Sequence, residues 1–187
     1  AAEIFREHQA WAARHARALE DAVLPHHNDR DPARRLRVGF VSPYIHKHAV
    51  TFFLESVIEH HDRAQLEIFL YADVARPDDY SERLKTHGAH WRGTVDLDHA
   101  QLAQLVRDDG IDILVDLSGQ TANNRLLAFA RKPAPILVNW LGFPSTTGLP
   151  SMDYRITDAY CDPPGMTEHL NSEQLVRLPG TAVAQSA

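Results

Sequence analysis

The chain has 187 residues, a formal net charge of −6 and one cysteine, Cys161. This length suits one α/β domain with a full core rather than two large domains, and the negative charge argues against a dedicated nucleic-acid binder, which would carry a basic stripe. A lone cysteine forms no internal disulfide and no apolar run approaches a membrane span, so we expect a cytoplasmic protein without a membrane partner.

The N-terminal segment predicts an amphipathic helix. Apolar side chains recur about every seven residues across 3–23, and Pro25 ends the pattern. The chain begins without Met and ends in a featureless run, so both ends are interpreted as cuts from a longer protein. The expected division is an N-terminal helix and linker at 1–33, a main domain at 34–179 and a tail at 180–187.

Strands and helices alternate through the main domain. The predicted strands lie at 36–41, 66–71, 91–95, 111–117, 136–141 and 155–157. The helical patterns between them lie at 50–58, 80–87, 102–106 and 124–131. Strands joined by single helices require right-handed crossovers and a parallel sheet. The predicted fold class is therefore α/β, a Rossmann-like parallel sheet with helices on both faces, preceded by the N-terminal helix.

The loop after the first strand carries the candidate catalytic residue, His48. Loops that leave parallel strands gather over the carboxyl edge of the sheet, where ligands bind. A neutral imidazole at this place can accept a proton from a hydroxyl nucleophile, and a helix N-terminus favours the neutral form. The alternative is a simple surface histidine. His46 and His48 form an H-x-H pair, but no further metal-ligand motif accompanies it, so no metal is predicted.

The turn at 118–124 is the most informative stretch of the chain. It joins a buried strand to a helix and supplies hydroxyls, amides and free backbone N–H groups, which bind anions or sugar hydroxyls. Thr121 lies in this turn. An ordinary helix cap by Asn123 or Asn124 is the alternative. No dinucleotide-binding glycine motif and no P-loop follows a strand, so NAD and P-loop chemistry are disfavoured.

A second polar loop follows the strand at 136–141. It places Thr146, Thr147 and Gly148 between glycine and proline residues, a composition typical of a rigid turn. Such a loop suits recognition of a polar ligand, and a tight turn capped by its own hydroxyls explains it equally well. Asp116, inside a buried strand, is interpreted as structural.

Five segments, taken in order, resemble the N-terminal catalytic lobe of the O-GlcNAc transferase and SPINDLY family. They are residues 41–48, 111–124, 131–135, 140–148 and 152–158. The family consists of nucleotide-sugar-dependent protein glycosyltransferases that act on Ser and Thr. The resemblance covers residues 34–179, most of the chain.

The resemblance implies one lobe of a GT-B fold, in which two Rossmann-like lobes face each other across a cleft. It implies that residues 3–23 are the tail of a tetratricopeptide (TPR) region, and that a second catalytic lobe of the same parent chain supplies most nucleotide contacts. His48 falls on the family's loop histidine, a catalytic base or acceptor-site residue. Thr121 matches a threonine near the donor, and the loop at 144–148 matches one that lines the sugar pocket.

The implied reaction is transfer of GlcNAc from UDP-GlcNAc to Ser or Thr hydroxyls of proteins, without a metal or cofactor. The amino-acid sequence at 121–124 and 146–150 is more similar to the SPINDLY branch. Because that branch includes protein O-fucosyltransferases, transfer of fucose from GDP-fucose is an alternative. A Rossmann-like binding module without catalysis is a second alternative, and a metal-dependent hydrolase is a distant third. The expected partners are a protein acceptor and the second lobe.

Overall fold

The computed structural model describes residues 1–182, which form a seven-stranded sheet flanked by helices. The strands are β1 Leu36–Ser42, β2 Leu66–Ala72, β3 His90–Gly93, β4 Ile113–Asp116, β5 Ile136–Asn139, β6 Tyr154–Asp158 and β7 Gln174–Leu178. The helices are α1 Ala2–His15, α2 Arg17–Glu20, α3 Ala49–His60, α4 Asp79–Thr86, α5 His99–Asp108 and α6 Leu126–Phe129, with a 3₁₀ turn at Glu168–Leu170.

The strand order fixes where a ligand can bind. The order is β3-β2-β1-β4-β5-β6-β7, and every neighbouring pair is parallel. The chain therefore builds outward from β1 in one direction and then from β4 in the other. In such sheets, the loops after the two strands at this switch point diverge and leave a crevice. The Rossmann-like prediction is confirmed.

All six predicted strands are present, and the structure adds β7 at the sheet edge. β7 was not predicted, because its residues alternate between exposed and half-buried and form no continuous apolar run. The predicted N-terminal helix breaks at Ala16 and ends at Glu20, before Pro25. The helix expected at 124–131 is reduced to a single turn.

Two apolar clusters hold the helices against the sheet. On one face, α1, α2, α5 and α6 pack around Tyr71 and Phe129. On the other, α3 and α4 bury Leu54, Ile58 and Leu84 against β1 and β2. Complete burial of a leucine or isoleucine stabilises the fold by about 1.5–3 kcal/mol. α1 belongs to this core, because Ala12 and Ala16 are buried within the first cluster.

The second face is covered over only part of its width. Within residues 1–182, no helix lies over the β4–β7 half of this face, and an apolar groove of about 490 Å³ runs along it. Ile136, Val176 and Leu178 are each 38% exposed there. The crossovers from β5 to β6 and from β6 to β7 contain no α-helix, which explains why this half of the face is uncovered.

Candidate active site

A cleft of about 380 Å³ lies over the carboxyl ends of β1, β4, β5 and β6. The loops after β1, β4 and β5 provide its walls, which is the place the strand order predicts. The lining of the cleft includes Tyr44, His48, Thr121, Phe143, Pro144 and Arg155. The structure therefore brings His48 and Thr121, from two separate loops, into one cavity.

His48 is held in place by helix α3 and by an aromatic neighbour. It is the N-cap residue of α3, and its Nδ1 accepts a hydrogen bond of 3.2 Å from the backbone N–H of Val50. The Tyr44 ring stacks on the imidazole at 4.4 Å between centroids. The Tyr44 hydroxyl donates to the carbonyl of Ala122 at 3.2 Å. Tyr44 thus links the loop after β1 to the turn after β4.

The hydrogen bond from Val50 sets the protonation pattern of the His48 ring. Because Nδ1 accepts, the single proton of the neutral imidazole resides on Nε2. Burial, with a smaller contribution from the charge of His46, lowers the pKa of His48 below its ordinary value. At neutral pH the ring therefore presents an Nε2–H donor. In the described part of the chain this Nε2 has no hydrogen-bond partner.

Asp116 shapes the turn that carries Thr121. Its carboxylate accepts hydrogen bonds from the backbone N–H groups of Ser118 at 3.1 Å and Gly119 at 2.8 Å, and from Asn139 Nδ2 at 3.0 Å. Burial raises the pKa of Asp116 to about 6, against the effect of these donors. The buried carboxylate holds the turn in shape through these three hydrogen bonds, which is the structural role expected from the sequence.

Thr121 is half-buried at the rim of the cleft. Its Oγ1 donates to the carbonyl of Ser118 at 2.9 Å, so its proton is used within the turn and its oxygen is left as an acceptor. At the end of the turn, Asn124 Oδ1 accepts from the N–H of Leu126 at 3.2 Å. The N-cap residue of α6 is Arg125, whose side chain does not cap the helix. The turn therefore lines the cleft at Thr121 and leads into α6 without a side-chain cap.

Thr146, Thr147 and Gly148 lie behind the cleft wall rather than on it. Glu173 accepts from Thr146 Oγ1 at 2.7 Å, from the Thr147 backbone N–H at 2.7 Å and from Thr147 Oγ1. Both threonines and Glu173 are buried. Gly148 lies against the backbone of His8. The structure does not bring these three residues together with His48 and Thr121.

The same loop reaches the cleft through Phe143 and Pro144, which line it directly. Sequence reasoning singled out hydroxyls in this loop and overlooked its apolar residues. Tyr44 was also missed, although an aromatic side chain four residues before a loop histidine was a usable signal. No sequence signal indicated Glu173, because an isolated glutamate in a polar stretch gives no sign that it is buried.

Arg155 is the only permanently cationic residue among the described residues that line the cleft. Its Nη1 donates to Asp162 at 2.8 Å, and both side chains are less than 10% exposed. Thr157 also donates to Asp162, at 2.5 Å. The arginine charge is therefore already compensated, and the other described residues that line the cleft include no lysine or arginine.

A larger cavity, of about 870 Å³, lies at the opposite edge of the sheet. Its charged groups are largely paired, since Arg34 bonds Asp112 at 2.5 Å and Arg37 bonds Glu67 at 3.1 Å. Burial opposes ionisation of Asp112, but the hydrogen bonds from Arg34, from the Arg37 N–H and from Asn28 lower its pKa overall. These contacts fasten the linker to the sheet, so we assign this region a structural role.

Neither a metal site nor a membrane-spanning helix is formed within residues 1–182. No group of three or more His, Cys, Asp and Glu side chains is arranged to hold a metal ion in this range. The described helices also include none with the length and apolar character needed to span a membrane. His46 and His48, the pair considered for a metal, have their ring centroids 6.0 Å apart.

The fold and the cleft define a Rossmann-like lobe with a ligand site at its topological switch point. The chain belongs to glycosyl transferase family 41, whose model matches residues 2–184. The resemblance stated from the sequence motifs is thereby confirmed.

Similar proteins come from plants, animals and bacteria. The Arabidopsis thaliana "Probable UDP-N-acetylglucosamine–peptide N-acetylglucosaminyltransferase SPINDLY" is 39% identical over 181 residues, 95% of this chain and 20% of that protein. A Caenorhabditis elegans UDP-N-acetylglucosamine–peptide N-acetylglucosaminyltransferase is 35% identical over 188 residues, 92% of this chain and 16% of that protein. The chain thus spans about a fifth of the length of these relatives.

A solved structure of a mutant O-GlcNAc transferase from Thermobaculum terrenum is also similar. It superposes with a TM-score of 0.89 at 43% identity, and the match covers 96% of this chain and 34% of that chain. This similarity confirms the lobe of a GT-B fold.

Proposed function

We propose that this chain is one lobe of a protein O-GlcNAc transferase, which moves GlcNAc from UDP-GlcNAc to Ser and Thr hydroxyls of proteins. The observation that carries the proposal is the meeting of His48 and Thr121 in one cleft at the switch point of a family 41 lobe. The names of the Arabidopsis and Caenorhabditis relatives support the same donor and acceptor class.

In the proposed reaction, an acceptor hydroxyl attacks the anomeric carbon as the bond to the diphosphate breaks, and the configuration inverts. The proton of the hydroxyl leaves with the diphosphate. His48 contributes by orienting a substrate oxygen through Nε2–H. The hydrogen bond between Nδ1 and Val50 supports this role over that of a general base. To accept a proton at Nδ1, the ring would have to release the first turn of α3.

Thr121 and the loop after β5 shape the sugar site in this proposal. Thr121 Oγ1 accepts a hydrogen bond from a substrate hydroxyl, because its own proton is donated to Ser118. Thr146 and Thr147 act indirectly: their bonds to Glu173 fix the loop whose outer residues line the cleft. Gly148 contributes through its close packing on α1.

The departing diphosphate needs positive charge, and among the described residues that line the cleft Arg155 offers it only in compensated form. We therefore propose that a second catalytic lobe of the same parent chain closes the cleft and stabilises the leaving group. The coverage of only 34% of the Thermobaculum chain supports the existence of such a lobe. A protein acceptor and a cytoplasmic location complete the proposal.

Calorimetry with UDP-GlcNAc and GDP-fucose on the full natural chain tests the donor. We expect binding of UDP-GlcNAc and transfer of its sugar to a Ser/Thr peptide. Binding and transfer with GDP-fucose alone would replace the donor with the fucosyl alternative. Binding of a peptide with no transfer from either donor would favour a non-catalytic module and refute the proposed reaction.

A further inference from the structure

The N-terminal helix reaches the cleft wall through one side chain, that of His8. Its Nδ1 lies 2.8 Å from the carbonyl oxygen of Thr146. A carbonyl oxygen only accepts, so Nδ1 carries the proton and donates it. The His8 ring also packs on Phe143, with centroids 5.6 Å apart and an interplanar angle of 57°. Residues 142–148, here called the wall loop, therefore contact α1 by a hydrogen bond and an aromatic contact.

The wall loop is fastened to the main domain on its other sides. The Phe143 N–H donates to the carbonyl of Ser118 at 3.2 Å, and Gln120 Nε2 donates to the carbonyl of Thr147 at 2.7 Å. Glu173 holds the two threonines. These bonds fix the loop to the turn that carries Thr121, whereas His8 supports the side that faces α1.

α1 is itself docked firmly, which makes His8 a fixed support. Ala12 is 3% exposed and Ala16 is fully buried, and Trp11 packs against the same cluster. Beyond the helix, Glu20 Oε1 accepts from the backbone N–H of Ser151 at 2.9 Å. A Cβ added to Gly148 would come within 2.6 Å of the His8 carbonyl carbon. The helix backbone and the wall loop are thus in direct contact.

We propose that His8 is a positioning residue for the cleft, holding the wall loop so that Phe143 and Pro144 present a formed surface to the sugar nucleotide. The inference rests on the proposed function for the identity of that ligand. His8 touches no reacting atom, because it lies behind Phe143 and is not a lining residue of the cleft. Its loss should therefore weaken donor binding and leave the chemical step nearly unchanged.

Three substitutions in the full natural chain separate the hydrogen bond from helix packing. His8→Phe keeps a ring against Phe143 and removes the donor. His8→Asn supplies an amide N–H near the position of Nδ1–H and can restore the bond. His15→Ala is the matched control, because His15 is exposed on the same helix. All variants are compared at equal folded fraction, established by thermal melting.

The expected result is a rise of about two- to tenfold in the KM for the donor in His8→Phe, the range that one net hydrogen bond supplies. We expect kcat to stay within about twofold, and His8→Asn and His15→Ala to match the wild type. Wild-type KM in His8→Phe overturns the proposal. An equal defect in His8→Phe and His8→Asn also overturns it, since a restored hydrogen-bond donor would then fail to restore donor-substrate binding.

Amide hydrogen exchange provides a measurement that does not depend on turnover. Exchange of the amides at 142–148 should be faster in His8→Phe than in His8→Asn or the wild type. Unchanged exchange overturns the proposal. If the wild type neither binds nor transfers a sugar nucleotide, the proposed function fails, and the exchange comparison still decides whether His8 holds the wall loop.

Discussion

His48 caps helix α3 and lines the cleft with the same imidazole ring. The backbone N–H of Val50 donates to Nδ1 at 3.2 Å, while Tyr44 stacks on the ring face. Since one nitrogen is committed to the helix, only Nε2 is free to meet a substrate. Removing the side chain therefore alters the start of a helix together with the cleft, and these two effects have to be separated experimentally.

His48→Asn and His48→Ala separate capping from chemistry. Asparagine is among the best N-cap residues, so His48→Asn should keep the free energy of unfolding within about 0.5 kcal/mol of the wild type. His48→Ala should lose about 0.5–2 kcal/mol through the missing cap. Both variants lack the Nε2–H donor, and we expect transfer to fall about tenfold in each. Denaturant unfolding and a transfer assay measure the two effects.

Two outcomes would change this account. Transfer within about twofold of the wild type in both variants would remove His48 from the site. A fall in kcat of about a hundredfold or more would instead match the loss of a general base, and the orienting role would have to be abandoned.

The pH dependence follows from the lowered pKa of His48. The ring works in its neutral form, and burial together with His46 keeps its pKa below 6.5. Transfer should therefore not change with pH around pH 7. It should fall as the pH decreases through that lowered pKa, because the second proton goes to Nδ1 and removes the acceptor for the Val50 N–H that holds the ring in place. His48→Asn should lack this acidic limb. A limb centred above pH 6.5 in the wild type would contradict the assignment.

Gly148→Ala should detach the wall loop from α1. Its φ of +78° disfavours an L side chain, and a Cβ would lie 2.6 Å from the His8 backbone. Gly165→Ala is a close control, because Gly165 has a φ of +79° with nothing within 4 Å of its added Cβ. The conformational cost, about 1–2 kcal/mol, is common to both.

Gly148→Ala should therefore reduce the free energy of unfolding by about 1 kcal/mol or more beyond Gly165→Ala, as overpacking typically does. Denaturant midpoints at equal m-values provide the comparison. Equal destabilisation of the two variants would show that the close contact between Gly148 and His8 does not contribute to the free energy of unfolding.

Glu173→Ala should destabilise the fold although Glu173 lies outside the cleft lining. The change leaves the Thr146 and Thr147 hydroxyls and the Thr147 N–H without their buried acceptor. Unsatisfied buried donors cost about 1–3 kcal/mol each before relaxation, so we expect a loss of at least about 2 kcal/mol. Glu82→Ala, which removes an exposed pair with Lys85, should change stability by about 0.5 kcal/mol or less. A similar effect in both would refute the structural role of Glu173.

The sequence was sufficient for the sheet and for the approximate place of the cleft. Continuous apolar runs mark buried parallel strands, and the polar turns after β1 and β4 mark the crevice between them. The edge strand β7 escaped prediction because Gln174 and Arg177 interrupt its apolar pattern. Because edge strands bury little surface, their sequences show only a weak apolar pattern.

The direction of the wall-loop hydroxyls could not be derived from the sequence. A loop rich in Thr, Gly and Pro has the same composition whether its hydroxyls face a ligand or a buried carboxylate. The decisive partner, Glu173, is 26 residues from Thr147 in the chain, and His8 is 138 residues from Thr146. Contacts at such separations follow from the packing of whole elements, which local patterns do not encode.

The most direct test of the central claim is mass spectrometry of a Ser/Thr peptide incubated with the full natural chain and UDP-GlcNAc. We expect addition of one GlcNAc to a Ser or Thr hydroxyl, with about a tenfold loss of rate in a correctly folded His48→Asn variant. An unmodified peptide after incubation with a folded chain that also fails to bind UDP-GlcNAc would contradict it.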